Sequence, residues 1–293
     1  MGEIVGAAVL SHIPTIVMDE AARRRMGGGA DTTLVEGLAR VRAAMDEFEP
    51  TTLAIVDTHW FSLTGHVLAG ADRYRGTYTS GELPRVIADY SYDYPGSPEL
   101  AALIHARAKA AGVPTTNATN RSLTPEYPTL NLQRHLLRGE KTLSLSTCQT
   151  ATLDDFLAFG EVVAEAVAES DERVMFIGGG ALSHRFWPLM ELPDHMGFDP
   201  SEIVTPEARE MDERIIALWE RGDHAAVLDM YPEFLTAAPE GRFGHYLILA
   251  GLFGGRRWRS PGRAMSAYES SLGTGEVHMM FDLSQGVPDG GEA

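Results

Sequence analysis

The sequence contains few of the residues on which several classes of protein depend. Only one of its 293 residues, Cys148, is a cysteine. An internal disulfide and a cysteine-based zinc or iron–sulfur site are therefore excluded, and any metal must be held by histidine and carboxylate side chains. So little cysteine is typical of a reducing compartment, and we expect a cytoplasmic protein.

Basic residues are also scarce. Lysine and arginine number 24 against 41 aspartates and glutamates, which gives a formal net charge of −17 at pH 7. A surface this acidic repels phosphate backbones, so we expect no nucleic-acid partner. The first residues lack the basic region of a signal peptide, and the longest nearly uncharged apolar stretch, 246–255, is too short to cross a bilayer. We therefore expect no membrane partner.

The apolar runs along the chain predict an α/β fold. Short β-rich runs at 4–10, 53–56 and 174–177 are typical of strands that are buried on both faces of a sheet. Stretches with helical spacing of apolar residues, such as 34–48, separate them. We predict a central, mostly parallel sheet flanked by helices, with a more helical C-terminal third.

The chain is predicted to form one domain, because no linker or repeat divides it. Residues 1–284 are expected to be a single catalytic α/β domain. The tail, 285–293, is rich in glycine, proline and acidic residues and is expected to be disordered.

Three of the ten histidines follow predicted strands within a few residues. They are His12, His59 and His184, and each is preceded by a serine or a threonine. Ligands bind beyond the carboxyl ends of the strands in open α/β sheets, so three such imidazoles predict a shared site. Taken singly, each is more often a capping or core-edge histidine.

Two of these histidines and one carboxylate would form a metal site. Such a set occupies one face of the ion and leaves the opposite positions open, which suits ferrous iron and oxygen. Spacing alone leaves the carboxylate undecided. Asp57 lies two residues before His59 and is either a ligand or an acceptor that orients an imidazole. Glu240 lies in a loop before an apolar helix, where spacing favours a solvated acid.

Five segments, in order along the chain, resemble the class III extradiol catechol dioxygenases. They are Ser11–Pro14, Asp57–Trp60, Tyr78–Pro84, Leu182–Phe186 and Gly273–Glu276. The resemblance implies an Fe(II)-dependent homo-oligomeric enzyme of aromatic catabolism. Its partners would be O2 and a small aromatic diol, such as 3,4-dihydroxyphenylacetate. Both oxygen atoms would enter the ring beside the diol and give a hydroxymuconic semialdehyde-type product.

The resemblance also implies roles for individual side chains. His12 and His59 match the two iron-binding histidines, and Glu240 matches the late carboxylate ligand, contrary to what its spacing favours. His184 matches the acid–base histidine. Tyr127 stands where part of the family has a second active-site histidine, so its hydroxyl is a candidate hydrogen-bond donor to oxygen or to the ring.

Three further residues are candidates for substrate contact. His245 lies five residues after Glu240 and either contacts the substrate or is a helix-surface or core histidine. Trp60 and Phe186 lie beside two site histidines in the sequence. They either wall the pocket for the ring or pack in the core.

Other functions stay open on these residues. A zinc hydrolase would use the same histidines and glutamate to activate water. An aminophenol or a hydroxypyridine diol presents the same pair of adjacent heteroatoms to a metal as a catechol does. A binding protein with a decayed metal site is a third alternative, against which the presence of all the implied site residues argues.

Overall fold

A computed structural model describes residues 1–285, so all but the first residue of the predicted tail lies outside the described part. The strands are β1 (Glu3–Leu10), β2 (Thr52–Ser62), β3 (His66–Ala69), β4 (Arg73–Tyr78), β5 (Tyr90–Pro95), β6 (Thr115–Ala118), β7 (Lys141–Cys148), β8 (Arg173–Gly179), β9 (Gly262–Ala264), β10 (Glu269–Ser271), β11 (Thr274–Glu276) and β12 (Met279–Phe281).

The helices lie between these strands, with three in succession before β9. They are α1 (Glu20–Met26), α2 (Leu34–Phe48), α3 (Pro98–Ala111), α4 (Tyr127–Leu136), α5 (Leu153–Glu169), α6 (Pro206–Glu220), α7 (His224–Phe234) and α8 (Gly244–Leu252). None of the described helices combines the length and the hydropathy that crossing a bilayer requires.

One mixed sheet of eight strands lies at the centre of the described chain, in the order β6-β3-β7-β2-β8-β1-β12-β9. β1, β8, β2 and β7 run parallel as neighbours, while β12 pairs antiparallel with β1. The predicted, mostly parallel sheet with flanking helices is therefore confirmed. β1 and β8, which precede His12 and His184, and β2, which carries His59, are adjacent and parallel, so their carboxyl ends meet at one edge.

Neighbouring residues of the central strands pack into different cores. Ala8 and Leu10 of β1 pack with α2 and α4, whereas Ala7 and Val9 pack with α3 and α5 to α8. Because both faces are covered, the strand reads as an unbroken apolar run. The helical C-terminal third is confirmed, but it ends in β9 to β12, which the apolar pattern did not predict.

A separate hairpin, β4–β5, packs a cluster of tyrosines beside the sheet edge. Tyr74, Tyr78 and Tyr94 from this hairpin belong to one buried cluster with Tyr127 and Leu130 of α4. The hairpin thereby packs beside the first turn of α4.

Candidate active site

His12 lies two residues beyond β1, at the carboxyl edge of the sheet. Its main-chain carbonyl accepts a hydrogen bond from Asn131 Nδ2 of α4 at 2.9 Å. The imidazole is buried, and its Nε2 lies 3.3 Å from Glu240 Oε1. The ring is therefore held inside the edge of the sheet and points toward a carboxylate from a distant segment.

A bulge in β2 presents His59. The pairing register with β7 shifts between Asp57 and Phe61. Asp57 Oδ1 accepts hydrogen bonds from the main-chain N–H groups of His59 and Trp60 at 3.0 and 3.1 Å, which draws the chain into a turn. Its other oxygen accepts from Thr129 N and Oγ1 at 3.0 and 2.7 Å. Asp57 thus orients the main chain of His59. In the described part of the chain it neither belongs to the group of candidate metal ligands nor accepts a hydrogen bond from an imidazole nitrogen.

A strained turn carries Glu240. Three non-glycine residues around it have left-handed φ angles, which such residues rarely adopt. They are Ala238, Arg242 and Phe243, at φ 51°, 57° and 63°. The main-chain N–H of Glu240 donates to the Leu182 carbonyl at 3.2 Å, and its Oε2 accepts from Ala181 N at 2.6 Å. These contacts bring the carboxylate, buried, to the end of β8.

The side chains of His12, His59 and Glu240 converge. Their ligand atoms all lie within 4.8 Å of one another. The two imidazole Nε2 atoms lie 3.3 and 3.0 Å from Glu240 Oε1, which is buried and has no hydrogen-bond partner among residues 1–285. Buried polar atoms are usually paired, so this oxygen and the two nitrogens around it fit a divalent cation held by two imidazoles and one carboxylate.

Two carboxylates face the two ring nitrogens of His59. Glu240 Oε1 lies 3.0 Å from Nε2, and Glu82 Oε2 lies 3.2 Å from Nδ1. Burial lowers the pKa of His59, but these carboxylates outweigh it and raise the pKa to about 10. Burial raises the pKa of Glu240, yet His12 and His184 hold it well below its usual value. The centre therefore stabilises positive charge where a metal ion would lie.

His184 and Tyr127 complete the cluster. His184 Nε2 lies 3.8 Å from Glu240 Oε1, and burial lowers the pKa of this imidazole. The Tyr127 hydroxyl lies 2.8 Å from His59 Nε2. Burial raises the pKa of Tyr127 above its usual value, so the phenol stays protonated and can donate a hydrogen bond. Five predicted site residues thus meet in one place.

The three candidates for substrate contact lie in different surroundings. Phe186 is 52% exposed, and its ring stands edge-on to that of His184 with centroids 4.8 Å apart. Trp60 is half-buried and packs against the tyrosine cluster. His245 is fully buried, with both ring nitrogens unpartnered, so it lies in the core of this structure. Substrate contact by these residues stays a prediction.

Glu82 is a site residue that sequence reasoning missed. It lies in the loop after β4, inside the segment 78–84 that carries part of the resemblance, but no spacing relates it to His59. A carboxylate on the outer nitrogen of a ligating imidazole fixes the orientation of the ring and increases its basicity. The only sequence signal for Glu82 was its position within segment 78–84, one of the five segments that resemble the dioxygenase family.

Fold and site together define a class of protein. It is an α/β enzyme with a candidate two-histidine, one-carboxylate centre at the carboxyl edge of its sheet. Comparison with known proteins narrows the class, because residues 6–281 match the family described as the catalytic LigB subunit of aromatic ring-opening dioxygenase. The chain belongs to this family, and it is an extradiol ring-cleaving dioxygenase.

One curated relative agrees with this assignment, and one solved structure shares the fold. The chain is 29% identical over 282 residues to the 3,4-dihydroxyphenylacetate 2,3-dioxygenase of Escherichia coli, and the match covers 92% of this chain and 100% of the relative. The crystal structure of an uncharacterized protein from Escherichia coli K12 superposes with a TM-score of 0.59 at 18% identity, over 94% of this chain and 99% of that one. The second likeness concerns the fold alone.

Proposed function

We propose that the protein uses Fe(II) to cleave 3,4-dihydroxyphenylacetate, or a closely related catechol, beside its two hydroxyl groups. The convergence of His12, His59 and Glu240 on an unpartnered buried oxygen carries the proposal. The activity for which the Escherichia coli relative is named supports the choice of substrate. In the overall reaction one ring carbon–carbon bond breaks and both atoms of O2 enter the product.

The proposed ligand set explains why this centre suits the reaction. A ferrous ion supplies open positions for both reactants and a route for electrons between them. With Fe(II) bound, the single carboxylate of Glu240 would leave a net charge of +1 at the centre, which a catecholate monoanion would neutralise. Glu82, on the far nitrogen of His59, holds that ring in its ligating orientation.

The remaining side chains handle protons and the ring. His184 is proposed to take the proton that the catechol loses on binding and to return it later in the reaction. The Tyr127 hydroxyl, beside His59 Nε2, is proposed to donate a hydrogen bond to oxygen or to the ring. Phe186, which is exposed and stands edge-on to His184, is proposed to cover one side of the aromatic ring.

Four substitutions test the proposal. His12→Ala, His59→Ala and Glu240→Ala are expected to abolish Fe(II) binding and oxygen uptake, because each removes one of three ligands. His184→Gln is expected to keep iron and to slow turnover by about 10²- to 10⁴-fold, as for other acid–base groups. Metal analysis, oxygen uptake and absorbance of the ring-opened product, with the exposed Glu47→Ala as control, give the readouts.

The outcomes separate the alternatives. An active Glu240→Ala enzyme would contradict the ligand assignment. The protein should be reconstituted anaerobically with Fe(II) or Zn(II) and offered catechols, aminophenols and hydroxypyridine diols. Oxygen-independent hydrolysis by the zinc form would favour a hydrolase, and turnover restricted to aminophenols or hydroxypyridines would overturn the proposed substrate.

A further inference from the structure

Ser11, the residue before His12, is held through its side chain and its main chain. Its Oγ donates to Glu276 Oε2 at 2.6 Å, and Thr274 Oγ1 donates to the other oxygen of that carboxylate, also at 2.6 Å. The main-chain N–H of Ser11 donates to His278 Nδ1 at 3.1 Å. All these side chains are buried. The course of the chain into His12 therefore depends on a carboxylate that lies far along the sequence.

Ser183, the residue before His184, is held in the same manner. Its N–H and Oγ donate to the two oxygens of Asp212 on α6, at 3.0 and 2.6 Å. Tyr268 donates its hydroxyl to the same carboxylate at 2.6 Å. Thr58, which precedes the remaining site histidine, differs because its hydroxyl donates to a main-chain carbonyl of β8. Buried acids thus hold two of the three hydroxyl residues.

Both arrangements depend on one hairpin, residues 268–278, here called the C-terminal hairpin. Leu272 and Gly273 join its strands at φ 57° and 104°, as a tight two-residue turn requires. Gly275 N donates to the Ser183 carbonyl at 2.9 Å. A side chain at Gly275 would place its Cβ 2.0 Å from Asp212 Oδ2, so only glycine lets the hairpin and this carboxylate meet.

We propose that the C-terminal hairpin and the acid on α6 form a brace that fixes the spacing between His12 and His184. Glu276 and Asp212 are its positioning residues, and each acts through the serine before a site histidine. The inference rests on the proposed function, in which His12 binds the metal and His184 moves the proton. The brace also gives the matching segment at 273–276 a physical role, although none of its residues belongs to the metal-ligand set.

Substitution of Glu276 and substitution of Asp212 are expected to impair different properties of the enzyme. Glu276→Gln is expected to weaken Fe(II) affinity by about 10- to 100-fold, because the proposed ligand His12 would shift when Ser11 loses its carboxylate acceptor. The kcat per bound iron is expected to stay unchanged. Asp212→Asn is expected to leave Fe(II) affinity unchanged and to lower kcat by about 10- to 100-fold with little change in KM. A merely structural role would give both variants the same losses.

The experiment uses the whole protein. Fe(II) affinity is measured anaerobically with the metal alone, by competition with a chromophoric chelator, so this readout is independent of turnover. Oxygen uptake gives kcat and KM. Glu269→Gln is the matched control: Glu269 is also buried in the C-terminal hairpin, but its carboxylate accepts hydrogen bonds from Thr32 and Thr33 before α2. This control is expected to lose thermal stability only.

The hydroxyl variants Ser11→Ala and Ser183→Ala should reproduce the two separate losses, which keeps the test decisive if a carboxylate variant fails to fold. The brace is overturned if metal affinity and kcat fall together in both variants in proportion to thermal stability. Unchanged Fe(II) affinity in Glu276→Gln together with Ser11→Ala would also overturn it. Failure of the proposed function is distinct, because the unsubstituted protein would then bind no Fe(II) or consume no oxygen.

Discussion

At the scale of residues, the Tyr127 hydroxyl lies 2.8 Å from the nitrogen of His59 that faces Glu240. Tyr127→Phe removes this hydroxyl but keeps the ring, whose centroid lies 4.3 Å from that of His59. We expect Fe(II) content to be unchanged and kcat to fall about tenfold, the worth of one hydrogen bond in the transition state. Iron analysis and steady-state oxygen uptake check this expectation.

Tyr92→Phe is the control for this change, because Tyr92 packs against the tyrosine cluster and its ring lies beside that of Tyr94, with centroids 6.1 Å apart. Loss of iron from Tyr127→Phe would mean that the hydroxyl supports the metal site and not the reaction. A kcat equal to that of Tyr92→Phe would remove Tyr127 from the mechanism.

Glu82 offers a second test at the same scale. Glu82→Ala removes the acceptor on His59 Nδ1 and frees the ring to rotate, so we expect Fe(II) affinity to weaken about tenfold. Chelator competition measures this, and Glu82→Gln, which keeps an acceptor oxygen, is expected to recover most of the affinity. Equal affinities for Glu82→Ala and the unsubstituted protein would show that the contact does not orient the ligand.

Sequence reasoning identified some site residues and failed on others for physical reasons. The strand-end histidines were predictable, because an apolar run shows where a buried strand ends. Spacing alone favoured a solvated acid at Glu240, because no spacing reveals that a left-handed turn folds it back onto the end of β8; only the family resemblance indicated it as a ligand. The roles of Glu276 and Asp212 depend on contacts between distant segments, which local patterns do not contain.

At the scale of elements, α5 and α8 cross at a pair of glycines. A Cβ at Gly251 would lie 2.3 Å from the Leu157 carbonyl oxygen and 3.0 Å from Gly160 Cα, both main-chain atoms. Gly251→Ala would force the helices apart, so we expect the free energy of unfolding to fall by about 1–3 kcal/mol. Chemical denaturation measures the change.

Gly197→Ala is the matched control for the helix crossing, because the nearest atom to its Cβ is 3.6 Å away on a side chain. We expect this control to retain its stability. Similar unfolding free energies for Gly251→Ala and Gly197→Ala would mean that α5 and α8 accommodate an added methyl group with no loss of stability.

The elements also differ in how visible they are in the sequence. β1, β2 and β8 are covered on both faces and therefore appear as apolar runs. β10 and β11, with the sequences Glu-Ser-Ser and Thr-Gly-Glu, are equally buried but carry polar side chains, so no apolar alternation marks them. Elements that pack through apolar side chains were predictable, and those that pack through hydrogen bonds were not.

At the scale of the whole molecule, buried histidines contribute to the loss of stability in acid. Burial lowers the pKa of His66, which stacks on Phe159, to about 4 from an ordinary value of 6.5. Below pH 6.5 His66 is protonated in the unfolded chain but stays neutral in the native protein. The free energy of unfolding therefore falls as the pH drops from 6.5 toward 4, by at most about 3 kcal/mol for this residue.

His66→Phe removes this titration and keeps a ring against Phe159. We expect its free energy of unfolding to fall less steeply between pH 6.5 and 4 than that of the unsubstituted protein, as measured by denaturation at a series of pH values. Parallel pH profiles for the two proteins would contradict the assignment. The single domain, the homo-oligomer and the cytoplasmic location stay predictions at this scale.

The proposed metal ligands lie far apart along the chain, with His12 and His59 near its start and Glu240 near its end. A protein emerges from the ribosome from its amino terminus, so the two imidazoles exist long before the carboxylate is made. The proposed site can therefore bind its metal ion only after the chain has been synthesised beyond Glu240. Fragments released by premature termination would sequester no iron at this place, however well their first strands had folded.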